Sequence, residues 1–326
     1  MRTRLITLML LCAAIFTLST GCASHEAGTT ASAGSVNPSA ESTAMAVHIT
    51  DFAGRSLAFS APPVRIAALS NGDLNTVYAL GGTLVGRPTS SHVAVPEAES
   101  VPQIGTTHSI DLEKLALLQP EVVLGNEPLN SKDIAAVESV GSQMMLTSAN
   151  SVDDIKRQIE LLGALLDKTA KAQELIQELD ARIAQLQSAQ PADQPRALIV
   201  YGAPGTYMAA LPNSISGNIA ELVGFTNIAA GYPSLENYPQ YAQLSTERII
   251  EANPQYVFIM GHGNPEEVTA GFLTEMERNP AWNSIDAVVN NRVTVLPSDL
   301  FGSNPGARVM EALDTLQAIR SKAAAP

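Results

Sequence analysis

The chain has 326 residues, 45% of them hydrophobic and 16% charged, which is enough for two folded domains and excludes disorder throughout. It carries 19 Lys and Arg against 32 Asp and Glu. The formal charge of −13 leaves no basic surface for a phosphate backbone, so nucleic acid is excluded as a partner.

The chain opens with the three parts of a secretory signal. Arg2 and Arg4 precede an apolar run at residues 5–18, and small residues continue to Cys22. The run is too short to span a bilayer comfortably. The second cysteine, Cys12, lies inside the run and would leave with it, so the mature chain can form no internal disulfide.

The residues around the remaining cysteine resemble the bacterial lipobox. Leu18-Ser19-Thr20-Gly21 comes directly before Cys22, although Ser19 stands where the lipobox usually has leucine. The resemblance implies a signal peptide over residues 1–21 and a lipid on Cys22, which would anchor an extracytoplasmic protein to the cell membrane. An ordinary cleaved signal is the alternative.

A tether and two lobes follow in chain order. Residues 22–46 are rich in Ala, Ser, Thr and Gly without apolar periodicity, which is typical of a flexible tether. Strand and helix patterns then alternate over residues 47–168, the N-terminal lobe, and again over residues 191–326, the C-terminal lobe. Between them lies a connecting segment, residues 169–190, whose predicted helix at residues 169–188 is about 30 Å long. The sequence therefore predicts an α/β fold of two lobes joined by one long helix, with a ligand cleft between them.

Two histidines stand where a predicted strand meets a predicted helix, one in each lobe. His262 follows the strand at 256–260, and His108 precedes a helix at 110–118 that Ser109 would cap. Because ligands of open α/β sheets bind at the carboxyl ends of strands, each lobe offers one imidazole to the cleft. The alternative for each ring is exposure to solvent or a bond to the backbone.

The paired imidazoles indicate a haem site. Neutral imidazole is a good axial ligand of haem iron, and rings from opposite walls would hold the porphyrin between them. A zinc site is less suitable because it normally needs three or four protein ligands, and no carboxylate or cysteine accompanies either histidine.

Several segments resemble the class III substrate-binding proteins of ABC importers, which carry cobalamin, siderophores or haem. Residues 49–55 and 62–70 resemble the opening of that family. Residues 197–209 and 261–268 (GHGNPEEV) are most similar to the haem-receptor lipoprotein of the staphylococcal iron-regulated surface determinant system. The resemblance implies that His262 is an axial ligand of the haem iron.

The second ligand departs from the pattern of that family. The resemblance implies a methionine at the place where this chain has His108. Bis-histidine ligation by His108 and His262 would lower the iron potential relative to a methionine–histidine pair.

The resemblance also implies a glutamate on each lobe that meets arginines of the permease. The matching residues are Glu113 and Glu247, each at the start of a predicted helix. An acid in the first turn also stabilises the helix dipole, and that alternative stays open.

Further haem contacts are predicted more weakly. Arg87 and His92 are candidates for the propionates, with surface exposure as the alternative. Tyr207 and Met208 would lie along the porphyrin, and core packing is the alternative for Met208.

Motifs for catalysis are absent from the sequence. We find no nucleophile with a base, no phosphate loop and no cluster of ligands for a catalytic metal, so we expect a binding protein rather than an enzyme. The expected function is that of a monomeric haem-binding lipoprotein that delivers haem to the permease of an ABC importer. Cobalamin or a ferric siderophore is the alternative cargo. A purely structural lipoprotein would leave the paired histidines unexplained.

Overall fold

The computed structural model describes residues 46–90, 93–190, 192–203, 206–261 and 265–323, all within one unit, Ala44–Pro326. The predicted α/β architecture of two lobes joined by a long helix is confirmed. Cys22 and the tether lie outside the described residues. Within the described part of the chain, no helix has the length and apolar character needed to cross a membrane.

The N-terminal lobe is built on a small parallel sheet. Its strands lie in the order β3-β6-β7, and their carboxyl ends meet at one edge. Two antiparallel hairpins, β1–β2 and β4–β5, flank the sheet. The strands are β1 (Val47–Thr50), β2 (Ser56–Phe59), β3 (Ile66–Ala68), β4 (Gly105–Thr106), β5 (Ser109–Ile110), β6 (Val122–Asn126) and β7 (Gln143–Thr147). The helices are α1 (Asn71–Ala79), α2 (Leu112–Leu118) and α3 (Ile134–Ser139).

Two helices lead from this lobe to the next. The helix α4 (Val152–Leu165) is capped by Ser151 and buries an apolar stripe that includes Ile155, Ile159 and Leu162. The helix α5 (Thr169–Ser188) begins and ends where the sequence predicts, and it packs along α4.

The C-terminal lobe has a larger, mixed sheet. Its strands lie in the order β11-β9-β8-β12-β13, and β10 pairs with β8. They are β8 (Arg196–Ala203), β9 (Thr206–Ala210), β10 (Thr226–Asn227), β11 (Tyr241–Gln243), β12 (Tyr256–Gly261) and β13 (Val293–Val295). The helices are α6 (Ile215–Val223), α7 (Thr246–Ala252), α8 (Pro265–Arg278), α9 (Asp286–Val289), α10 (Ser298–Phe301) and α11 (Val309–Ala323).

The largest hydrophobic cluster runs through both lobes. It includes Leu124 of the first sheet, Ile155 of α4, Leu179 of α5 and Phe258 of the second sheet, all of them buried. Burial of this continuous apolar surface stabilises the lobes as one body.

Three local predictions are corrected. The helix expected from residue 110 with Ser109 as its cap begins at Leu112, because the side chain of Asp111 accepts a hydrogen bond from the backbone of Lys114, and Ser109 belongs to β5. The apolar residues 84–86 also predict a strand, and the structure has a single bridge there, between Ala67 and Gly86. The strands β9 and β11 were not expected.

Candidate ligand-binding site

His108 lies in the turn of the β4–β5 hairpin, with its side chain exposed. Its backbone N–H donates to Thr106 Oγ1 at 3.2 Å. Gly105 has a φ of 101°, and a Cβ there would collide with the carbonyl oxygen of Ser109, so the tight hairpin needs glycine at this position. The hairpin therefore presents the imidazole on a short, sterically defined turn.

A buried asparagine fixes this turn to the sheet. The Nδ2 of Asn130 donates to the carbonyl of Thr107 at 2.9 Å, while its Oδ1 accepts from the backbone of Asn126, the last residue of β6, at 2.9 Å. Asn130 is fully buried. The turn that carries His108 is thus held beside the carboxyl end of the central strand.

His262 and His92 lie outside the described residues. The strand β12 ends at Gly261 and α8 begins at Pro265, so the chain position of His262 is the predicted junction between a strand and a helix. Pairing of His108 with His262 at one iron stays a prediction. Within the described residues, no group of three or more His, Cys, Asp or Glu side chains is arranged to hold a metal ion.

Arg87 is buried and engaged within the first lobe. Its guanidinium donates to the carbonyls of Pro88 at 3.1 Å and Glu99 at 3.3 Å, and its Nε has no hydrogen-bond partner. The side chain is 6% exposed. A contact with a propionate stays a prediction and would require this side chain to leave those carbonyls.

Tyr207 and Met208 lie on β9, at the edge of the second sheet where β8 and β12 end. The hydroxyl of Tyr207 donates to the carbonyl of Val268 at 3.3 Å. Desolvation raises the pKa of that hydroxyl, and the carboxylate of Glu275 adds to the effect, so it stays protonated at neutral pH. Met208 is 8% exposed, which makes it largely a core side chain.

A cavity of about 600 Å³ opens beside these two side chains. Its described lining includes Glu236 and Glu275 but no Lys or Arg. An anionic group would meet like charge and no cation here. The cavity suits a neutral or apolar part of a ligand. Its lining residues are Thr206, Tyr207, Met208, Leu235, Glu236, Asn237, Tyr238, Gln243, Leu244 and Glu275.

Glu113 and Glu247 occupy equivalent places in a unit that occurs once in each lobe. Glu113 is the second residue of α2, Glu247 is the second residue of α7, and both side chains are exposed. Each helix ends at a residue in the left-handed region, Gln119 with φ 45° and Asn253 with φ 43°. A buried proline and a strand follow in both cases.

An arginine side chain binds the carbonyls at the carboxyl end of each of these helices. Arg65 donates to the carbonyls of Leu118 and Gln119. In the other lobe, Arg196 donates to the carbonyls of Ala252 and Asn253, both at 2.9 Å. Such bonds satisfy the terminal carbonyls of a helix and favour its dipole. The two exposed glutamates therefore stand on matching local scaffolds.

The chain belongs to the periplasmic binding protein family, whose model matches residues 66–300. Members of this family are substrate-binding transport proteins rather than enzymes. They work outside the cytoplasm, and those of ABC importers have a permease as partner.

One curated relative is the high-affinity heme uptake system protein IsdE of Staphylococcus aureus, 27% identical over 229 residues, which are 70% of this chain and 77% of the relative. The crystal structure of S. aureus IsdE complexed with heme gives a TM-score of 0.69 at 26% identity and covers 78% of this chain and 98% of that one. An ABC transporter substrate-binding protein from Listeria monocytogenes gives a TM-score of 0.68 at 28% identity, with coverage of 79% and 98%.

Other solved structures share the fold alone. The vitamin B12 binding protein BtuF of Vibrio cholerae has a TM-score of 0.64 at 20% identity over 81% of this chain and 99% of that one. S. aureus SirA complexed with staphyloferrin B has a TM-score of 0.69 at 20% identity over 84% and 98%. The family match therefore makes the chain a substrate-binding protein, and the shared fold does not select the cargo.

Sequence reasoning missed two contributors to this site. Asn130 follows β6 by four residues, and a polar residue just after a buried strand is a signal for such an anchor. The strand β9 carries two predicted ligand contacts, but its small residues gave no clear alternation. Its position in the sheet follows from pairing with β8, which brings Tyr207 opposite Gly202 and Met208 opposite Tyr201.

Proposed function

We propose that this protein is the haem receptor of an ABC importer and that it binds haem between its lobes with His108 and His262 as the two axial ligands. The observation that carries the proposal is the similarity to a heme uptake protein over 70% of the chain. The exposure of His108 on an anchored turn supports it.

The chemistry of the described cavity favours a porphyrin over a ferric siderophore. Tyr207 and the cavity beside it offer an aromatic and apolar surface, which suits the porphyrin ring or its vinyl edge. The glutamates of the cavity, Glu236 and Glu275, disfavour a polyanionic ferric siderophore at this place. Cobalamin remains the neutral competitor and is included in the test.

The test is a titration of the purified protein with hemin, cobalamin and a siderophore panel, followed by absorption spectroscopy. We expect hemin to give the spectrum of low-spin, bis-imidazole iron. His108→Ala and His262→Ala should each lose that spectrum because one axial position becomes vacant. His48→Ala is the matched control, since His48 is an exposed histidine on β1.

A ligand swap sharpens the same test. His108→Met should keep haem bound and raise the iron potential, because a methionine–histidine pair stabilises ferrous iron relative to two imidazoles. A bis-imidazole spectrum that persists when His108 and His262 are both replaced by alanine would contradict the ligand assignment. Binding of cobalamin or a siderophore in preference to hemin would contradict the cargo.

We also propose that a lipid on Cys22 anchors the receptor to the cell membrane and that residues 22–46 form the tether. Such a tether would extend the reach of the folded part of the receptor. About 25 flexible residues would let that part approach both its ligand and its permease. Cells fed with labelled palmitate should label the wild type but not Cys22→Ser. Equal labelling of both would contradict the anchor.

We further propose that Glu113 and Glu247 dock onto cationic residues of the permease. The matching scaffolds of α2 and α7 support this proposal, since they present one exposed carboxylate per lobe in the same local setting. A partner with two equivalent subunits fits that arrangement. Release of the ligand would follow when the permease strains the lobes apart, without a covalent step.

A further inference from the structure

The place where the two lobes touch beside the cleft is built from small and polar residues. Gly72 of α1 lies so close to Asn304 of the second lobe that a Cβ on it would be 2.6 Å from the asparagine side chain. The Nδ2 of Asn75 donates to the carbonyl of Pro305 at 3.1 Å. The lobes therefore approach each other at backbone distance, at the amino end of the helix that follows β3.

A fully buried aspartate lies directly behind this contact. Oδ1 of Asp73 accepts from the hydroxyl of Thr147 at 2.8 Å and from Nε2 of Gln158 at 2.6 Å, and its Oδ2 is 2.5 Å from the hydroxyl of Ser70. The Oε1 of Gln158 then accepts from Nδ2 of Asn304 at 3.0 Å. One chain of hydrogen bonds thus links β7, α1, α4 and the second lobe.

We propose that Asp73 is a positioning residue for the ligand site. Through Gln158 and Asn304, it fixes the spacing of the two lobes. The inference rests on the proposed function, because the spacing of the lobes determines whether ligands from both walls reach one iron atom. Removing the carboxyl group leaves the Nε2 of Gln158 without its buried acceptor and leaves the hydroxyl of Thr147 with the carbonyl of Gly125 at 3.2 Å, so the link between the lobes loosens.

The surroundings of Asp73 suit a neutral acid. Within the described part of the chain, Asp73 has no ion-pair partner. Two of the three side chains that bond to its carboxyl group are hydroxyls, which can accept a hydrogen bond as well as donate one. Desolvation raises the pKa of Asp73, and the bonds from Ser70, Thr147 and Gln158 oppose that shift only in part. A neutral carboxyl group can donate to Ser70 and still accept from Gln158.

The charged groups on the elements packed around Asp73 interact with other residues or are exposed. On α4, Lys156 pairs with Asp153 and Asp180, Arg157 stacks over Phe52, Asp154 accepts from the backbone of Asn150 and Glu160 is exposed. Next to Asn304, Arg308 pairs with Asp299 and Glu311. The titratable residue on α1 besides Asp73 is Tyr78, which is half-buried, and β7 has none.

Asp51 provides a matched control because it is the other aspartate with no exposed surface. It accepts from the backbone of Ala53, Arg55 and Leu146 and pairs with the guanidinium of Arg55 at 2.7 Å. Every one of these partners is a donor, so an amide NH₂ in place of the carboxylate oxygen would face N–H groups. Asparagine should therefore be tolerated at position 73 and not at position 51.

The first experiment measures the melting temperature of the ligand-free protein. At pH 7.5 we expect Asp73→Asn to melt within about 2 °C of the wild type, and Asp73→Ala and Asp51→Asn to melt roughly 5–10 °C lower. A raised pKa means that the neutral acid stabilises the fold at low pH and that this contribution is lost as the pH rises through the folded-state value. We therefore expect the melting temperature of Asp73→Asn to rise relative to that of the wild type as the pH increases above the usual titration range of a carboxyl group. If the melting temperature of Asp73→Asn were as low as that of Asp51→Asn at every pH, the claim that Asp73 is a neutral acid would be overturned.

The second experiment measures the lobe spacing and the haem site. Spin labels at Glu138 and Val289, exposed residues of different lobes, report the spacing in the Cys22→Ser background. We expect a narrow distance distribution for the wild type and Asp73→Asn and a broadened one for Asp73→Ala. Hemin should bind about tenfold more weakly to Asp73→Ala, with a lower low-spin fraction, and Asp73→Asn should restore both.

The outcomes separate the two claims. An unchanged distance distribution and unchanged hemin binding in Asp73→Ala, with stability reduced, would overturn the positioning role and leave the haem receptor intact. Failure of the wild type to bind hemin, with the distance broadening still present in Asp73→Ala, would overturn the cargo and leave the link between the lobes intact. Asn304→Ala removes the last bond of the chain and should reproduce the broadening while Asp73 keeps its bonds to Ser70, Thr147 and Gln158.

Discussion

The two lobes carry the same helix, left-handed residue, proline and strand, yet they differ in what surrounds that unit. The first lobe adds a short hairpin that presents His108, and its sheet has three strands. The second adds β9 and β11, and with them Tyr207 and the cavity, to a sheet of six strands. The comparison teaches that the two lobes repeat one local unit, with an exposed glutamate at its start, and differ in the elements that are added to it.

The largest expected effect concerns the two exposed glutamates. Replacing both Glu113 and Glu247 by glutamine should abolish haem uptake, because each lobe would lose the carboxylate that we propose docks onto the permease. Each single replacement should lower uptake by a similar factor, on the order of tenfold, if the two scaffolds are equivalent. Uptake by cells that carry each variant is the measurement.

Glu138→Gln is the control for that series, since Glu138 is an exposed acid on α3. Hemin binding by the purified docking variants should equal that of the wild type. Normal uptake by the double variant would refute docking, and a loss confined to one glutamate would break the equivalence of the lobes.

The smallest expected effect tests the ends of the two matching helices. Gln119→Gly should stabilise the protein by about 0.5 kcal/mol, because glutamine is strained in the left-handed region and Gly is not. Asn253→Gly should destabilise it by about 1 kcal/mol, because Oδ1 of Asn253 accepts from the backbone of Asp286 at 2.8 Å. Chemical denaturation measures both values. Equal effects of the two variants would show that this side-chain bond contributes nothing.

Helices with clear boundaries could be predicted from the sequence to the residue. The sequence predicts helices at residues 169–188, 215–223 and 246–252, and the bounds of α5, α6 and α7 agree. Ser214 and Ser245 cap α6 and α7, and Gly224 and Asn253 end them. The start of α2 was predicted two residues early, because Ser109 and Asp111 are both good capping residues and the pairing of β4 with β5 decides between them.

The contact between the lobes could not be predicted from the sequence. Asp73 and Gln158 are 85 residues apart, and Gln158 and Asn304 are 146 apart. Neither hydrophobic periodicity nor local capping chemistry predicts a hydrogen bond between residues so far apart in the chain. In the sequence, Asp73 has the position of an ordinary acid in the first turn of α1. It is buried because α4 packs against α1.

The hairpin that carries His108 has a consequence for how such receptors diversify. Its backbone is secured by Gly105 and Asn130, whereas the imidazole itself contributes little to the core. A change of side chain at the tip should therefore leave folding nearly untouched. In the site we propose, such a change would alter the ligand of the iron, and with it the electron affinity of the cargo, through a single codon and independently of the scaffold.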